Sequence, residues 1–422
     1  MNNITIANKS GASYRTQLVI IGSFFFMFGF VTWVNGTLIP YLRIACELKD
    51  WQPYLVTFAF YISYTIMALP SSKILQFTGM INGIRTGLLI MVLGCLIFIP
   101  AALTRSYLLF LIGLFIVGTG LTLLQTAINP YITLIGPSSS AAQRISIMGI
   151  CNKFAGIIAP FILSAIILSN ADALMEELSI LSPAAKQVRL DALAHDVIVP
   201  YAILAGILLL VSFGIKYAKL PEVDTQTADH SDDRQLIMNN AGVSRNGQMF
   251  RGFLAIFCAV GVEVVAGDTI SNYGIYNGIS LDIAKSLTSL TLAGMLAGYI
   301  IGIITIPKYI SQNKAYLYSA ILGLIFAALI LFSSGWTSII GVALLGFANA
   351  MLWPAIWPKA LEGLTGKTLN NASAILIMGI AGGAILPLIY GWVSTGTNNK
   401  WGYMVVIPCY IYSIYYSKRG RP

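Results

Sequence analysis

"GTGLTLLQTAINP" (118–130) and "GFANAMLWPAIWP" (346–358) open on glycine, share an Ala-Ile pair and close on proline at an offset of 228 residues. A second match, "IMGI" at 147–150 and 377–380, falls at an offset of 230. Two matches at nearly one offset, in neighbouring segments, indicate that the chain carries its plan twice.

What is duplicated is a set of membrane spans. The 422 residues are 57% hydrophobic and 10% charged, against about 25% charged in an ordinary soluble domain. Apolar runs of about 18 to 28 residues recur, each long enough to cross a ~30 Å hydrocarbon layer. Twelve are expected, at roughly 17–42, 53–77, 84–103, 107–135, 145–168, 197–218, 250–277, 283–306, 314–333, 337–361, 369–393 and 400–417. With the N-terminus inside, the inner side holds 17 of the 25 basic residues, among them Lys73, Arg85, Arg144, Lys308, Lys314, Lys359, Lys367, Lys418 and Arg419, and the outer side seven. That asymmetry obeys the positive-inside rule and places both termini in the cytoplasm. The net charge of +9 is spread over many short loops rather than one patch, so it reflects topology and not nucleic-acid binding. Lys153 is expected to be the only buried basic residue.

Two stretches are polar enough to lie outside the bilayer: an outer loop at 170–196 with a short amphipathic helix, and a charged cytosolic linker at 219–249. The expected organisation is an N-terminal six-helix bundle (1–218), the linker, and a C-terminal six-helix bundle (250–422). The fold class is therefore all-α, with twelve transmembrane helices in two pseudo-symmetric bundles, and a substrate site near the midplane between them. The polar start leads into a full-length span without a short apolar core and cleavage site, so the first helix is expected to remain as an anchor.

Thr122, Gln125, Thr126, Asn129 and Thr133 recur every three or four residues along span four and share one face. Interhelical hydrogen bonding would explain such a stripe. Asn129-Pro130 favours a cavity wall instead, because a proline frees a backbone carbonyl, and such breaks are tolerated where backbone meets protein or a cavity. At the offset of 228, Gln125 and Asn129 correspond to Trp353 and Trp357. Carboxamides can serve hydroxyls as donor and acceptor, and an indole offers a flat face to C–H groups; the pairing suits a sugar. Thr32 and Asn35 in span one, Ser146, Gly149, Asn152 and Gly156 in span five, and Tyr54, Thr57, Tyr61 and Tyr64 in span two form further polar edges. The tyrosines and Thr57 read as packing.

Of the 16 acidic residues, only Glu263 and Asp268 fall well within a span. An intramembrane charge costs about 2.5–3.5 kcal/mol on insertion scales, so the default reading is function with a partner. The two lie about 7.5 Å apart along a helix and on different faces. Glu263, at the 228 offset from Asn35, reads as a cavity residue and the coupling carboxylate. Asp268, after Gly267, suits either a helix break or the outer gate. Lys153 in span five either pairs with Glu263 or, if it does not reach it, snorkels or binds the other half to close the inner gate.

"FMFGFVTWVNGTLIPYL", "QTAINPYITLIGP", "NKFAG", "KLPEV" and "GVEVVAGDT" resemble the glucose/galactose permease group of the fucose–proton symporter family, within the major facilitator superfamily. The resemblance covers nearly the whole chain. It implies import of a monosaccharide across a bacterial inner membrane, driven by a cation gradient. Asn129-Pro130 and Asn152 match the family pattern. Gly36 and Gln125 stand where fucose permeases carry an Asp and a Glu for proton coupling and sugar recognition, which moves the expected coupling carboxylate to Glu263 in the C-terminal half. The signature between spans two and three, "SSKILQFTGMINGIR", keeps Gly79 but not the usual Asp-Arg pair.

The leading expectation is cation symport of glucose or galactose. Sodium could bind near Glu263 with neighbouring oxygens, whereas a proton needs only the carboxylate. A proton-coupled exporter of drugs or sugars is the alternative. An enzyme is not expected: His195 and His230 lack metal-ligand spacing, and "GLTGKT" (363–368) lacks the first glycine of a phosphate loop. The five cysteines show no CxxC spacing, so neither a disulfide framework nor a metal site is expected. No cofactor beyond the coupling ion and no partner beyond sugar and lipid bilayer are expected, with the chain a monomer.

Overall fold

The computed structural model describes residues 14–49, 51–134, 141–168, 170–215, 245–306, 308–361 and 366–419; His230 and residues 219–244 of the expected linker lie outside them. Among the described residues the secondary structure is helical, without strands. Spans two to nine are Leu55–Thr78, Met80–Leu103, Tyr107–Leu134, Ala141–Ile167, Ile198–Gly214, Arg245–Tyr276, Leu287–Thr305 and Gln312–Phe332. Span one is two helices, Tyr14–Trp33 and Asn35–Ala45; span ten is Gly335–Asn349 and Leu352–Leu361; span eleven is Gly366–Met378 and Gly382–Gly396, joined by a 3-10 turn. Among the described residues, eleven spans are long and apolar enough to cross a membrane. The expected twelfth is shorter, a helix at Val406–Lys418 preceded by the turns Asn399–Gly402 and Tyr403–Val405.

Each interruption lies within about two turns before a proline. Proline has no amide for the carbonyl four residues back and its ring crowds that carbonyl. Pro354 stands four residues after Ala350, where span ten breaks. Pro40 and Pro387 follow the breaks at Val34 and Gly379–Ala381. Span four behaves otherwise: it continues through Pro130 to Leu134 as one helix of 28 residues. Pro130 lies in its last turns, where little helix remains to be redirected, so the break expected at Asn129-Pro130 is absent. Span seven is likewise one unbroken helix of 32 residues through Gly267. That removes the helix-break reading of Asp268. Its first residues, 245–249, had been assigned to the linker and already form helix.

The duplication is visible in where the helices touch. A Cβ at Gly118 of span four would lie 2.4 Å from the Phe60 carbonyl oxygen of span two, and one at Gly346 of span ten would lie 2.1 Å from that of Thr291 in span eight. These are the opening glycines of the two matched stretches, each letting its helix pack against a neighbour's backbone. At Gly29 of span one a Cβ would lie 1.9 Å from the Asn152 carbonyl oxygen of span five; at Gly382 of span eleven it would lie 1.8 Å from the Phe257 carbonyl oxygen of span seven. Gly29 and Phe257 are 228 residues apart, Asn152 and Gly382 are 230 apart. The same crossing is thus built in both halves, with the glycine on opposite partners.

The expected single helix in the 170–196 loop is a pair, Ala171–Ile180 and Pro183–His195. Ser182 begins the second, its hydroxyl accepting from the Ala185 amide at 3.4 Å, with Pro183 in the first turn, a strong start signal. This pair marks what we call the hairpin end of the molecule. The opposite, linker end holds Gly214 and Arg245, where the halves are joined, and the first and last spans' free ends. Gly79, at the linker end between spans two and three, has φ 74°, a conformation that glycine adopts at no steric cost.

Candidate substrate and coupling site

The two halves meet tightly at the hairpin end. Thr57 Oγ1 of span two donates to Asp268 Oδ2 of span seven at 3.0 Å. One turn further out, Asn272 Nδ2 donates to the Tyr54 hydroxyl at 3.5 Å, and the Tyr54 ring meets Tyr390 of span eleven edge-on, centroids 5.5 Å apart. At the surface, Asp172 Oδ1 accepts from the Leu281 amide at 2.7 Å, while Asp282 accepts from the Ala171 amide at 2.9 Å and the Asp172 amide at 3.3 Å. Each carboxylate caps the short helix of the opposite half, satisfying amides that have no partner within their own helix. Lys285 Nζ adds bonds to Leu168 O and Asp282 Oδ1, both 2.7 Å. Beside this closure Glu47 accepts from Lys186 and Gln187, with Arg105 near; the Lys186 hydrogen bond leads in holding its carboxyl below the ordinary range.

Residues 33–42 of span one and 264–274 of span seven are all buried, so closure extends inward to the level of Glu263. Spans two and eleven, and spans five and eight, stay in contact on the linker side of that level: Thr65 Oγ1 donates to the Met378 carbonyl oxygen at 3.2 Å, and a Cβ at Gly149 would lie 3.0 Å from the Tyr299 ring. Thr32, Gln125, Glu263 and Trp353 of spans one, four, seven and ten are partly exposed.

At this level Lys153 Nζ of span five donates to Glu263 Oε1 of span seven. Their side chains are 8% and 15% exposed. Lys153 Nζ also lies 4.6 Å from the ring centroid of Trp33 in span one. Trp33 is held between glycines: a Cβ at Gly156 would come within 2.5 Å of its ring and one at Gly267 within 2.4 Å. Opposite charge, hydrogen bond and aromatic face together satisfy an ammonium that would otherwise be costly so deep in the bundle. Of the two readings left open for Lys153, the structure places it on Glu263. It does not leave Lys153 as the only buried basic residue: Arg144 is buried too, its Nε donating to the Ile132 carbonyl oxygen at 3.0 Å, so the end of span four draws the guanidinium in from the loop.

The remaining expected residues divide. Gln125 is partly exposed and its Nε2 donates to the Tyr64 hydroxyl at 3.1 Å; Tyr64 stacks on Tyr61, centroids 6.1 Å apart. Asn129 is partly exposed. Asn152 is partly exposed, its Nδ2 donating to the Phe25 carbonyl oxygen at 3.4 Å. Trp353 and Trp357 stack on each other, centroids 5.4 Å apart, both partly exposed. Asn35 is different: it is buried in the closed hairpin half, and its Nδ2 has no partner among the described residues. Thr122 and Thr126 return their hydroxyls to Gly118 O and Thr122 O of their own helix, so the span-four stripe narrows to Gln125 and Asn129. The side chain of Thr133 lies outside the described residues.

Trp33 and Thr57 also belong to the site. Trp33 reads as one more aromatic in an apolar run, and its Gly156 and Gly267 clamps come from distant spans. Thr57, taken for packing, supplies the hydrogen bond to Asp268; its position three residues after Tyr54 on the polar edge of span two is the signal that could have found it.

Two six-span halves, sealed against each other at the hairpin end and bridged by a charged pair deep in the bundle, form the architecture of an alternating-access carrier. Residues 21–387 match the model of the Major Facilitator Superfamily, and the chain belongs to that family, whose members are membrane transporters and not enzymes. The chain is similar to the glucose/galactose transporter of Brucella abortus, 30% identical over 422 residues, spanning 99% of this chain and 97% of the relative. It is 29% identical to the L-fucose-proton symporter of Escherichia coli over 393 residues, spanning 92% and 89%. Among solved structures, FucP in the outward conformation superposes with a TM-score of 0.75 at 27% identity, covering 97% of this chain and all of that one. A D-xylose-proton symporter shares the fold, TM-score 0.64 at 16% identity.

Proposed function

We propose that this transporter imports a hexose, glucose or galactose, by symport with a cation, H+ or Na+, and that the linker end and both termini face the cytoplasm of a bacterial cell. The observation that carries the reading is the Lys153–Glu263 pair, which joins the halves deep in the bundle. Gln125, Asn129 and Asn152 supply partly exposed carboxamides from the N-terminal half, and Trp353 and Trp357 supply a partly exposed, stacked aromatic pair from the C-terminal half. Hydroxyl recognition with a C–H face is what a pyranose requires. The names of the relatives, two of them sugar carriers, support the same substrate class.

Coupling follows from the charges. With Lys153 bound to it, Glu263 ties the halves together; a cation or proton reaching Glu263 competes with the lysine and loosens the tie as sugar leaves. Proteoliposomes loaded with buffer and given labelled glucose or galactose under a sodium gradient, then separately under a pH gradient, test this. Accumulation above the external concentration under one gradient is expected. Equilibration without accumulation under both would reduce the protein to a facilitator, and no hexose flux at all would remove the sugar assignment.

A further inference from the structure

Among the described residues Asp268 is the one fully buried acidic side chain, 1% exposed and inside the hairpin-end closure. Glu263 has its lysine; no lysine or arginine pairs with Asp268 among the described residues, and its only donor is Thr57 of the opposite half. Its second oxygen, Oδ1, has no hydrogen-bond partner, and neither has Oδ1 of Asn272, one helical turn further on. Asn272 is itself 3% exposed, and its amide nitrogen is spent on Tyr54. Four residues apart, these two buried acceptor oxygens lie on one helix face, and neither has a donor within hydrogen-bonding distance among the described residues. Two oxygens are too few to replace the hydration of a metal cation. One proton satisfies both, because a neutral carboxyl donates its O–H.

We infer that Asp268 carries the coupling proton while the hairpin end is shut, donating it to Asn272 Oδ1 and accepting from Thr57, so that the end closes only on the neutral acid. The inference rests on the symport reading and names its ion as H+. The cycle then runs as follows. With the hairpin end open, the Asp268 carboxylate takes a proton from the outer solution; closure buries the neutral group against span two. Tyr61, which feels the charges of both Asp268 and Glu263, lies beside the route by which the proton passes inward to Glu263 and displaces Lys153. Loss of that proton to the linker side leaves an unpaired carboxylate inside the closure, and a buried charge without a partner is the least tolerable state of such a site. The hairpin end reopens.

The groups that act on Asp268 from span two are Thr57, Tyr54 and Tyr61, with Tyr390 of span eleven against the Tyr54 ring, Arg43 acting on Tyr54, and Glu263 on another face of its own span. The tyrosines hold their protons through the neutral range. His195, Glu47, Asp172, Asp196 and Asp282 are further ionisable side chains at this end, so the test needs a variant that silences Asp268 alone. Spin labels at Thr104 and Thr397, exposed positions on the two halves at the hairpin end, report its opening by electron–electron distance measurement in sugar-free nanodiscs from pH 5 to 9. In the otherwise native protein the closed-to-open ratio is expected to fall with rising pH, by up to about tenfold per unit for a single proton. Asp268→Asn, whose amide can donate to Asn272 and whose carbonyl can accept from Thr57, is expected to stay closed across the range. A pH-independent native ratio would overturn the inference, as would an Asp268→Asn protein that keeps the native pH response. Restored closure on adding Na+ at pH 9 would replace the proton by sodium. Because no sugar is present, these outcomes are separate from those of the hexose uptake test. Should Asp268→Asn not fold, the native pH series and Thr57→Val, expected to open more readily at every pH, decide.

Discussion

Breaking the Lys153–Glu263 pair one partner at a time yields two unequal defects. In Glu263→Gln the ammonium keeps the Trp33 ring at 4.6 Å and gains an amide carbonyl to bond. In Lys153→Met the Glu263 carboxylate, 15% exposed, loses its only basic partner. Removing one partner of a buried pair costs about 3–5 kcal/mol. A desolvated cation–π contact returns up to about 2 kcal/mol, which places Glu263→Gln near 1–3 kcal/mol and Lys153→Met near 3–5 kcal/mol. The double variant leaves no unpaired charge and is expected to recover more than half of the summed loss, giving a coupling of at least about 2–4 kcal/mol. Reversible denaturant unfolding in detergent, followed by helical circular dichroism for all four proteins, measures it. Single losses that add to the double within about 0.5 kcal/mol would show that the two groups do not act on each other, and the pair would lose its place in the account.

Other consequences are more local. Gly29→Ala and Gly382→Ala each push a methyl into a carbonyl less than 2 Å away, and each is expected to lose about 1–3 kcal/mol and to lower the melting midpoint in detergent, whereas Gly206→Ala, with nothing within 4 Å of its Cβ, is expected to leave it unchanged. Trp353→Ala removes one ring of the stacked pair and is expected to raise the KM for hexose about tenfold, the equivalent of about 1.4 kcal/mol, with the maximal rate less affected; an unchanged KM would move the sugar elsewhere. At the hairpin end, the Glu47 carboxyl is held below its ordinary range first by the Lys186 hydrogen bond, so its contribution is full above the unfolded carboxylate range and disappears as pH falls through the lowered value. Midpoints measured from pH 3 to 7 should show a flatter acid limb in Glu47→Gln; solvent screening keeps the difference below about 1 kcal/mol.

Hydropathy and the repeat made the architecture readable, because apolar length is what a bilayer demands and duplication leaves an offset that two short matches can reveal. The same offset later pairs Gly29 with Phe257 and Asn152 with Gly382, a contact equivalence that no residue identity announces. What stayed hidden depends on tertiary distance. Glu263 and Lys153 stood out as intramembrane charges, but 110 residues separate them, and only the assembled halves show that they meet. Arg144 reads as a loop cation until the Ile132 carbonyl is seen to bind it. Pro130 illustrates the limit of a local rule: the residue type predicts a break, yet its place near the helix end leaves the span whole. The second helix of the 170–196 pair was readable in Ser182-Pro183, a start signal obscured by the polar composition around it.

Glu263→Gln in proteoliposomes tests the central claim most directly. Sugar counterflow, which needs only alternating access, is expected to persist, while accumulation of hexose against its gradient is expected to vanish under an imposed ion gradient. Accumulation equal to that of the native protein would contradict the assignment of Glu263 as the coupling group.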